Sequence, residues 1–167
     1  MPRGKSHVRY DHCNYVSYVH IVCPACQKRA IATLIMETGE PYRGVLFGDM
    51  QYYELKSWKI LCESCPFRME IPFPKETFKE KYNNKVYEAV SCGSPYVGLG
   101  EFYYKLDFMN FWAYNVDHLD AIVKYLESTL GRDNSYNFVI SSYLRSDWKK
   151  NKEKLLKLIR GKTTWIK

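Results

Sequence analysis

Two stretches of this sequence decide its fold: YVSYVHIVCPAC, residues 15–26, and QYYELKSWKILCESC, residues 51–65. Each carries β-branched and aromatic residues in an alternating pattern typical of a strand, and each runs directly into a Cys-x-x-Cys turn. Beyond the turns, residues 30–36 and 67–73 have the same character, and two prolines end the second of these segments. The sequence therefore predicts four strands in two pairs, with a cysteine turn joining each pair.

The predicted metal ligands are the cysteines of these turns: Cys23, Cys26, Cys62 and Cys65. Four thiolates fill the tetrahedral shell of zinc and leave no position for water, so one structural Zn²⁺ is predicted. Iron in a rubredoxin-like site and thiol redox chemistry are the alternatives. Strand, turn and strand, repeated twice, is the arrangement of a zinc ribbon. Because 35 residues separate Cys26 from Cys62, an elaborated hairpin with turns over residues 37–48 is expected between them.

Five other residues are potential ligands or catalytic groups: His12, Cys13, His20, Cys92 and His118. Their spacing indicates no second metal site. The simpler interpretation makes the cysteines small buried apolar groups and the histidines packing residues. No nucleophile or phosphate-binding motif is present. Enzymatic activity is the least favoured function, because it would need a cleft with converging polar groups near His118 or Cys92.

The pattern is weaker in the middle of the chain. Residues 75–90, KETFKEKYNNKVYEAV, predict a helix at first, interrupted at Asn83 and Asn84, and residues 91–100 predict a loop from their Gly, Ser and Pro content. The expected fold class is α+β. A zinc-ribbon β region at 1–74 packs with a mixed region at 75–167 that ends in a pair of helices, and the two form one compact unit.

Two amphipathic helices are predicted near the end of the chain. The first is capped by Asn115, has apolar residues at helical spacing as far as Leu130, and is followed by Gly131. The second runs from Ser146 or Asp147 to Arg160. The aromatic segment just before Asn115 is expected to dock between the sheet and these helices.

The second helix lies in a strongly basic segment. Residues 145–167 contain nine Lys or Arg and two acidic residues, which accounts for the whole net charge of +7. Clustered cations neutralise phosphates, so this segment and the basic residues beside the cysteine turns predict contact with DNA or RNA. The predicted contact residues are Lys28, Arg29, Arg68, Arg145, Lys149, Lys150, Lys152, Lys154, Lys157 and Arg160. A solvated helix face carries the same kind of charge without binding anything.

Composition limits the classes to which the chain can belong. With 167 residues, 46% hydrophobic and 16% aromatic, it is predicted to be a globular domain of ordinary size rather than a disordered chain. No apolar run reaches the length of a membrane span, and the first residues lack the apolar core of a signal peptide. We therefore expect a cytoplasmic protein without a membrane partner, in which cysteines bind metal rather than form disulfides.

Eleven residues spread over most of the chain carry a family resemblance: Cys23, Cys26, Cys62, Cys65, Trp112, Tyr114, Asn115, His118, Leu119, Trp148 and Lys149. In these residues the chain resembles a group of uncharacterised bacterial zinc-ribbon proteins whose ribbon is described as transcription factor IIB-like. The resemblance implies a ribbon and a structural zinc but no activity, since none is established for the group. Gln27 and Pro66 stand where glycine often follows a cysteine turn, which argues against a tight rubredoxin-type turn and against iron.

Two functions from different classes follow from these observations. The first is a non-enzymatic structural-zinc protein that contacts nucleic acid, or a nucleic-acid complex, through the basic helix. The second is a protein-interaction or regulatory subunit, for example in host defence or toxin control, whose many aromatic side chains line a partner surface. An exposed aromatic patch away from the basic helix would favour the second.

Overall fold

The computed structural model describes residues 17–42, 54–92, 96, 98–127, 146–162 and 164–165. The described part of the chain has an α+β fold, as predicted. Its strands are β1 Tyr18–Val22, β2 Arg29–Met36, β3 Leu55–Cys62, β4 Arg68–Pro72, β5 Lys75–Tyr82, β6 Lys85–Cys92, β7 Tyr104–Leu106 and β8 Phe111–Ala113. Its α-helices are α1 Val116–Glu127, α2 Ser146–Lys150 and α3 Lys152–Gly161. A short 3-10 turn, Phe108–Asn110, joins β7 to β8.

The first four strands form one antiparallel sheet in the order β1-β2-β3-β4. All four predicted strands are present among the described residues, with β1 starting at Tyr18 and β3 at Leu55. Alternate residues of β2, Ala30, Ala32 and Leu34, are buried on the inner face of the sheet. There they join Trp58 and Ile60 of β3 in the first hydrophobic core. Residues 43–53, which include part of the predicted hairpin, lie outside the described residues.

The helix predicted from residue 75 is wrong, because β5 and β6 form an antiparallel hairpin there. Its turn consists of Asn83 and Asn84, whose φ angles are 48° and 61°. Two successive residues with positive φ match the type I′ turn, which suits the right-handed twist of a hairpin and favours asparagine. The paired asparagines are therefore the connection between two strands and not an interruption in a helix.

The second half of the described chain builds its own core. Strands β7 and β8 pair with each other. Leu119 and Ile122 of α1 belong to one buried cluster with Trp148 of α2 and Leu155 of α3. The predicted second helix is interrupted at Asn151, which lies between α2 and α3 with φ −112° and ψ 27°. The predicted first helix is confirmed as far as Glu127, and Leu130 and Gly131 lie outside the described residues.

The two cores meet along the outer edge of β1. The His20 amide donates to the carbonyl oxygen of Tyr114 at 2.7 Å, and the Tyr103 amide donates to the carbonyl of His20 at 2.9 Å. Trp112 packs against both cores, as expected for the segment before α1. Asn115 opens α1 by accepting a hydrogen bond from the His118 amide at 2.9 Å. Strand β1 is thus paired on both sides.

Among the described residues, no helix combines the length and apolar character that crossing a bilayer requires.

Candidate functional site

The sheet register brings the two cysteine turns together. The first turn, residues 23–26, joins β1 to β2, and the second, residues 62–65, joins β3 to β4. The Cys23 amide donates to the carbonyl of Lys28 at 2.8 Å, and the Cys62 amide donates to that of Phe67 at 3.0 Å. Because Ala30 of β2 is paired with Cys62 of β3, both turns lie at the same end of the sheet.

The four predicted ligands converge. Their sulfur atoms all lie within 4.8 Å of one another, with 3.8 Å between the Sγ atoms of Cys23 and Cys65 and 3.5 Å between those of Cys26 and Cys62. These separations exceed the length of a disulfide bond, about 2.05 Å. They match the edges of a tetrahedron with metal–sulfur bonds of about 2.3 Å, which are about 3.8 Å long. The cluster can therefore hold one metal ion.

Backbone amides support negative charge on the sulfurs. The Ser64 amide donates to Cys62 Sγ at 3.3 Å and, with help from the neighbouring thiols, lowers the pKa of Cys62 to about 7. At Cys65 a backbone hydrogen bond from Phe67 acts in the same direction, but desolvation and the other thiols outweigh it and raise the pKa to about 12. The neighbouring thiols and desolvation thus oppose ionisation of Cys65. A bound cation would stabilise the fully ionised set and displace its protons.

Gln27, the residue that follows the first cysteine turn, has a positive φ angle, which is uncommon for a residue other than glycine. Its φ is 61°, in the left-handed region that glycine adopts at little cost. The Gln27 amide donates to the carbonyl of Cys23 at 2.9 Å, which closes the turn around the first ligand. Gln27 therefore adopts the left-handed conformation at this position although it is not a glycine.

Arg29, one of the predicted nucleic-acid contacts, is engaged within the protein. Its guanidinium forms a two-contact ion pair with Glu63 of the second cysteine turn. The same group donates to the Tyr104 hydroxyl at 3.3 Å. Glu63 is the main reason that the pKa of Arg29 is raised. The interaction partners lie 34 and 75 residues away along the chain, so the sequence pattern contained no signal for them.

The two described histidines are buried. His118 is 0% exposed, its Nδ1 accepts a hydrogen bond from the Tyr114 amide at 3.2 Å, and desolvation lowers its pKa to about 3. His20 lies against the rings of Tyr18 and Tyr104, and its Nδ1 has no hydrogen-bond partner among the described residues. Burial, and next the charge of Arg29, lowers the pKa of His20 to about 4. Both imidazoles are therefore neutral at pH 7.

Three other residues were considered as potential ligands or catalytic groups, although no second metal site was predicted from them: Cys92, His12 and Cys13. Cys92 ends strand β6, opposite Lys75, whereas His12 and Cys13 lie outside the described residues. Among the described side chains, the group that could hold a metal ion contains only the four cysteines of the two turns.

Apart from Arg29, the predicted nucleic-acid contacts lie beside the cysteine turns, on helices α2 and α3, or outside the described residues. Lys28 and Arg68 are exposed beside the cysteine turns, and Arg145 lies outside the described residues. On α2 and α3, Lys152 is half-buried, and the other predicted cations are exposed: Lys149, Lys150, Lys154, Lys157 and Arg160. We call these five exposed residues the basic surface. Lys162, which directly follows α3, is also exposed and was not among the predicted contacts.

Three of the basic side chains have neighbours within the protein. Lys149 Nζ lies 5.6 Å from the centre of the Tyr125 ring, and Lys154 Nζ lies 4.6 Å from that of Phe108. Arg160 is paired with Glu127 of α1 at 2.5 Å. A contact with a neutral ring leaves the positive charge of the ammonium group in place, so Lys154 still contributes to the surface potential.

Comparisons of the chain with models of known protein families, with curated proteins and with solved structures find no match.

Proposed function

We propose that this chain is a non-enzymatic protein in which one structural Zn²⁺ stabilises the sheet and the basic surface contacts nucleic acid or a nucleic-acid complex. Four thiolates with tetrahedral spacing favour zinc over the oxygen-seeking cations. All four positions of the shell are filled by protein, so the ion contributes folding free energy rather than catalysis. These features also support kinship with the bacterial zinc ribbons that the sequence resembles.

One observation carries the nucleic-acid part of the proposal. Between Ser146 and Lys162 there are seven Lys or Arg and two acidic residues, and the apolar residues of the same helices are buried in the second core. The cations are therefore displayed outward on a fixed support. A concentrated positive field of this kind attracts the phosphate backbone.

The spacing of the cations along α3 adds to this argument. Lys154, Lys157 and Arg160 follow one another at intervals of three residues, so they are neighbours on the helix surface. Arg160 is partly neutralised by Glu127, whereas Lys157 has no ion-pair partner among the described residues. We therefore assign the main phosphate contacts to Lys150, Lys154 and Lys157.

The basic residues near the cysteine turns play a smaller part in this proposal. Lys28 and Arg68 are exposed and can reach a phosphate, but Arg29 is committed to Glu63. Breaking that ion pair to bind a phosphate would exchange one anion for another with little gain.

The test measures binding to single- and double-stranded DNA and RNA at several salt concentrations. The triple variant Lys150→Ala, Lys154→Ala and Lys157→Ala should weaken binding at least about tenfold at low salt. It should also reduce the slope of log affinity against log salt by roughly 2 to 3. A matched control removes three exposed lysines from the β5–β6 hairpin, Lys79, Lys81 and Lys85, and should leave the slope nearly unchanged.

The outcomes separate specific contact from general charge. Equal losses in the two triple variants would show that only net charge matters, and the assignment to the basic surface would then be wrong. A lack of affinity for every nucleic acid at low salt would overturn the proposed function itself.

The alternative of a protein-interaction subunit depends on an exposed aromatic surface. The exposed large apolar side chains among the described residues are Leu61, Met69, Val86 and Leu158, and none of these is aromatic. That alternative stays a prediction from composition.

A further inference from the structure

An open cleft lies where β7 and β8 meet the segment that pairs with β1. It has a volume of about 590 Å³, and two half-buried rings, those of Phe102 and Trp112, form its apolar wall. Glu101, Lys105 and Asn110 form its polar rim. We call it the aromatic cleft. Its volume falls in the range of small-ligand sites, about 300 to 1,000 Å³.

The Trp112 ring of the aromatic wall packs against the rings of three other residues. The ring centre of Trp112 lies 4.8 Å from that of Tyr114, 5.8 Å from that of His118 and 6.4 Å from that of Trp148. All three contacts are edge-to-face, and the ring of Phe102 lies 5.9 Å away on the side of the cleft. A ring fixed by so many neighbours loses little freedom when a ligand stacks on it, so the wall is organised before binding.

The rim carries charges and hydrogen-bonding groups of both kinds. Lys105 is paired with Glu101 at 2.8 Å and lies opposite Trp112 in the β7–β8 ladder. Asn110 is exposed and has a φ of 47°, and its side chain has no hydrogen-bond partner in the described part of the chain. Its amide offers both donors and an acceptor, the combination that matches the edge of a nucleobase.

The turn at the rim of the cleft contacts helices α2 and α3, which carry the basic surface. The indole nitrogen of Trp148 donates to the carbonyl of Met109 at 3.0 Å, and the adjoining residue Phe108 carries the ammonium group of Lys154 over its ring. The turn from Phe108 to Asn110 therefore connects the rim of the cleft to α2 and α3. A nucleic-acid strand whose phosphates contact the lysines of the basic surface therefore has an aromatic site of the size of one base beside it.

We infer that the aromatic cleft binds an unpaired base of single-stranded RNA or DNA, stacked on Phe102 and Trp112 and hydrogen-bonded by Asn110. Stacking platforms beside basic grooves are the usual means of binding single strands, because every base has a π face. A base within a duplex is already stacked and paired, and its faces are not available. This inference rests on the proposed function and adds the strand type and the site of base contact.

The experiment compares a labelled single strand with a duplex of the same length, as DNA and as RNA, using the full chain with its metal. Phe102→Leu keeps apolar volume but removes a stacking face, and should weaken single-strand binding about tenfold. Asn110→Gly removes the amide, while glycine retains the left-handed backbone, and should weaken it about fivefold. Duplex affinity should stay unchanged in both variants.

Two controls make the comparison specific. Asn84→Gly makes the same substitution at another exposed asparagine with positive φ, in the β5–β6 turn, and should have no effect. A single strand with abasic residues should bind the unaltered protein about tenfold more weakly, and Phe102→Leu should not weaken that complex further. Thermal unfolding of each variant establishes that it is folded.

The results distinguish this inference from the proposal on which it rests. If neither Phe102→Leu nor Asn110→Gly changes single-strand affinity while the lysine variant still loses it, the cleft assignment is overturned and the basic surface stands. If no nucleic acid binds, both are overturned. Loss confined to DNA or to RNA supports the cleft and identifies which kind of single strand it takes.

Discussion

The guanidinium of Arg29 is paired with the carboxylate of Glu63, with Nη2 and Oε1 3.2 Å apart, across the two cysteine turns. The same guanidinium donates to the hydroxyl of Tyr104, a residue of the second core. One side chain thus connects the first turn, the second turn and the C-terminal half. The position of Arg29 is better explained by stability than by nucleic-acid contact.

Replacing Arg29 tests that explanation. Arg29→Met removes the ion pair and the contact with Tyr104, and should lower the free energy of unfolding by about 1 kcal/mol, since both partners are about one-third exposed and partly screened. Denaturant titration measures the change. Arg68→Met, which removes an exposed arginine beside the same turns, serves as the matched control and should change stability by less than about 0.5 kcal/mol. Equal losses in the two variants would contradict the connecting role.

The group of four cysteines gives a second prediction, which follows from the proposed structural zinc. Elemental analysis of the purified protein should find one zinc ion per chain, and chelation under reducing conditions should unfold the four-stranded sheet, as measured by amide exchange in β1–β4. Cys23→Ser should abolish stoichiometric binding. Ser64→Ala, within the same turn, keeps the amide that contacts Cys62 Sγ and should bind normally. A sheet that stays protected without metal would contradict a structural role, and an iron tetrathiolate absorption spectrum would contradict zinc.

His118 should make stability depend on pH. Its pKa falls from 6.5 to about 3 on folding because the imidazole is desolvated. The unfolded chain therefore takes up a proton below pH 6.5 that the folded chain does not. The stabilisation is complete above pH 6.5 and is lost as the pH falls toward 3, by about 1.4 kcal/mol per pH unit.

The comparison with His118→Gln isolates this effect. Glutamine can still accept the hydrogen bond from the Tyr114 amide but does not titrate. Urea unfolding between pH 6 and pH 4 should give the variant a slope that is shallower by about 1.4 kcal/mol per pH unit. Metal release affects both proteins equally and cancels in the difference. Parallel curves would mean that His118 becomes protonated in the folded state.

The backbone of Gln27 yields a fourth prediction. Glycine tolerates its φ of 61°, so Gln27→Gly should keep the free energy of unfolding within about 1 kcal/mol of the original value. Gln27→Val places a β-branched side chain in a left-handed conformation and should cost about 1 to 3 kcal/mol. Lys28→Val, at the next position, has no positive φ and should cost much less. If both valine variants were equally stable, the left-handed turn would be refuted.

Asn115 is expected to stabilise the contact between the cores. Its oxygen caps α1 through the His118 amide, and its Nδ2 donates to the carbonyl of Tyr18 in β1 at 3.0 Å. Asn115→Ala removes both bonds and should cost about 2 to 3 kcal/mol. Asn115→Ser keeps a capping oxygen and loses only the bond to Tyr18, so it should cost about 1 kcal/mol. Thermal unfolding would contradict the dual role if the two variants lost equal stability.

The features that the sequence predicted correctly are local ones. Each cysteine turn and its flanking strands lie within about twenty consecutive residues, and the apolar spacing that begins at Val116 belongs to a single helix. The hairpin β5–β6 was missed because Lys and Glu in KETFKEKY favour helix by propensity. Pairing with Lys85–Cys92 overrides that preference, and the two asparagines were the signal for it.

The features that could not be predicted depend on distant contacts or on local backbone geometry that apolar spacing does not report. The engagement of Arg29 by Tyr104 joins positions 75 residues apart, and the aromatic cleft assembles Phe102 and Trp112 around a turn of unusual backbone geometry. The break at Asn151 lies within a stretch whose apolar spacing continues through it. The spacing of apolar residues predicts which side of a helix or strand is buried, but not which other part of the chain packs against that side.

The pairing of β1 on both edges has a consequence for synthesis of the chain. One edge of β1 pairs with β2, which follows only a few residues later in the chain. The other edge pairs with Glu101, Phe102 and Tyr103, which are synthesised about eighty residues later. On the ribosome, the four-stranded sheet can thus form while the outer edge of β1 still presents unpaired amides and carbonyls. An open edge of this kind invites pairing with another nascent chain. The interval before Phe102 emerges is therefore when we expect this protein to be most prone to aggregate.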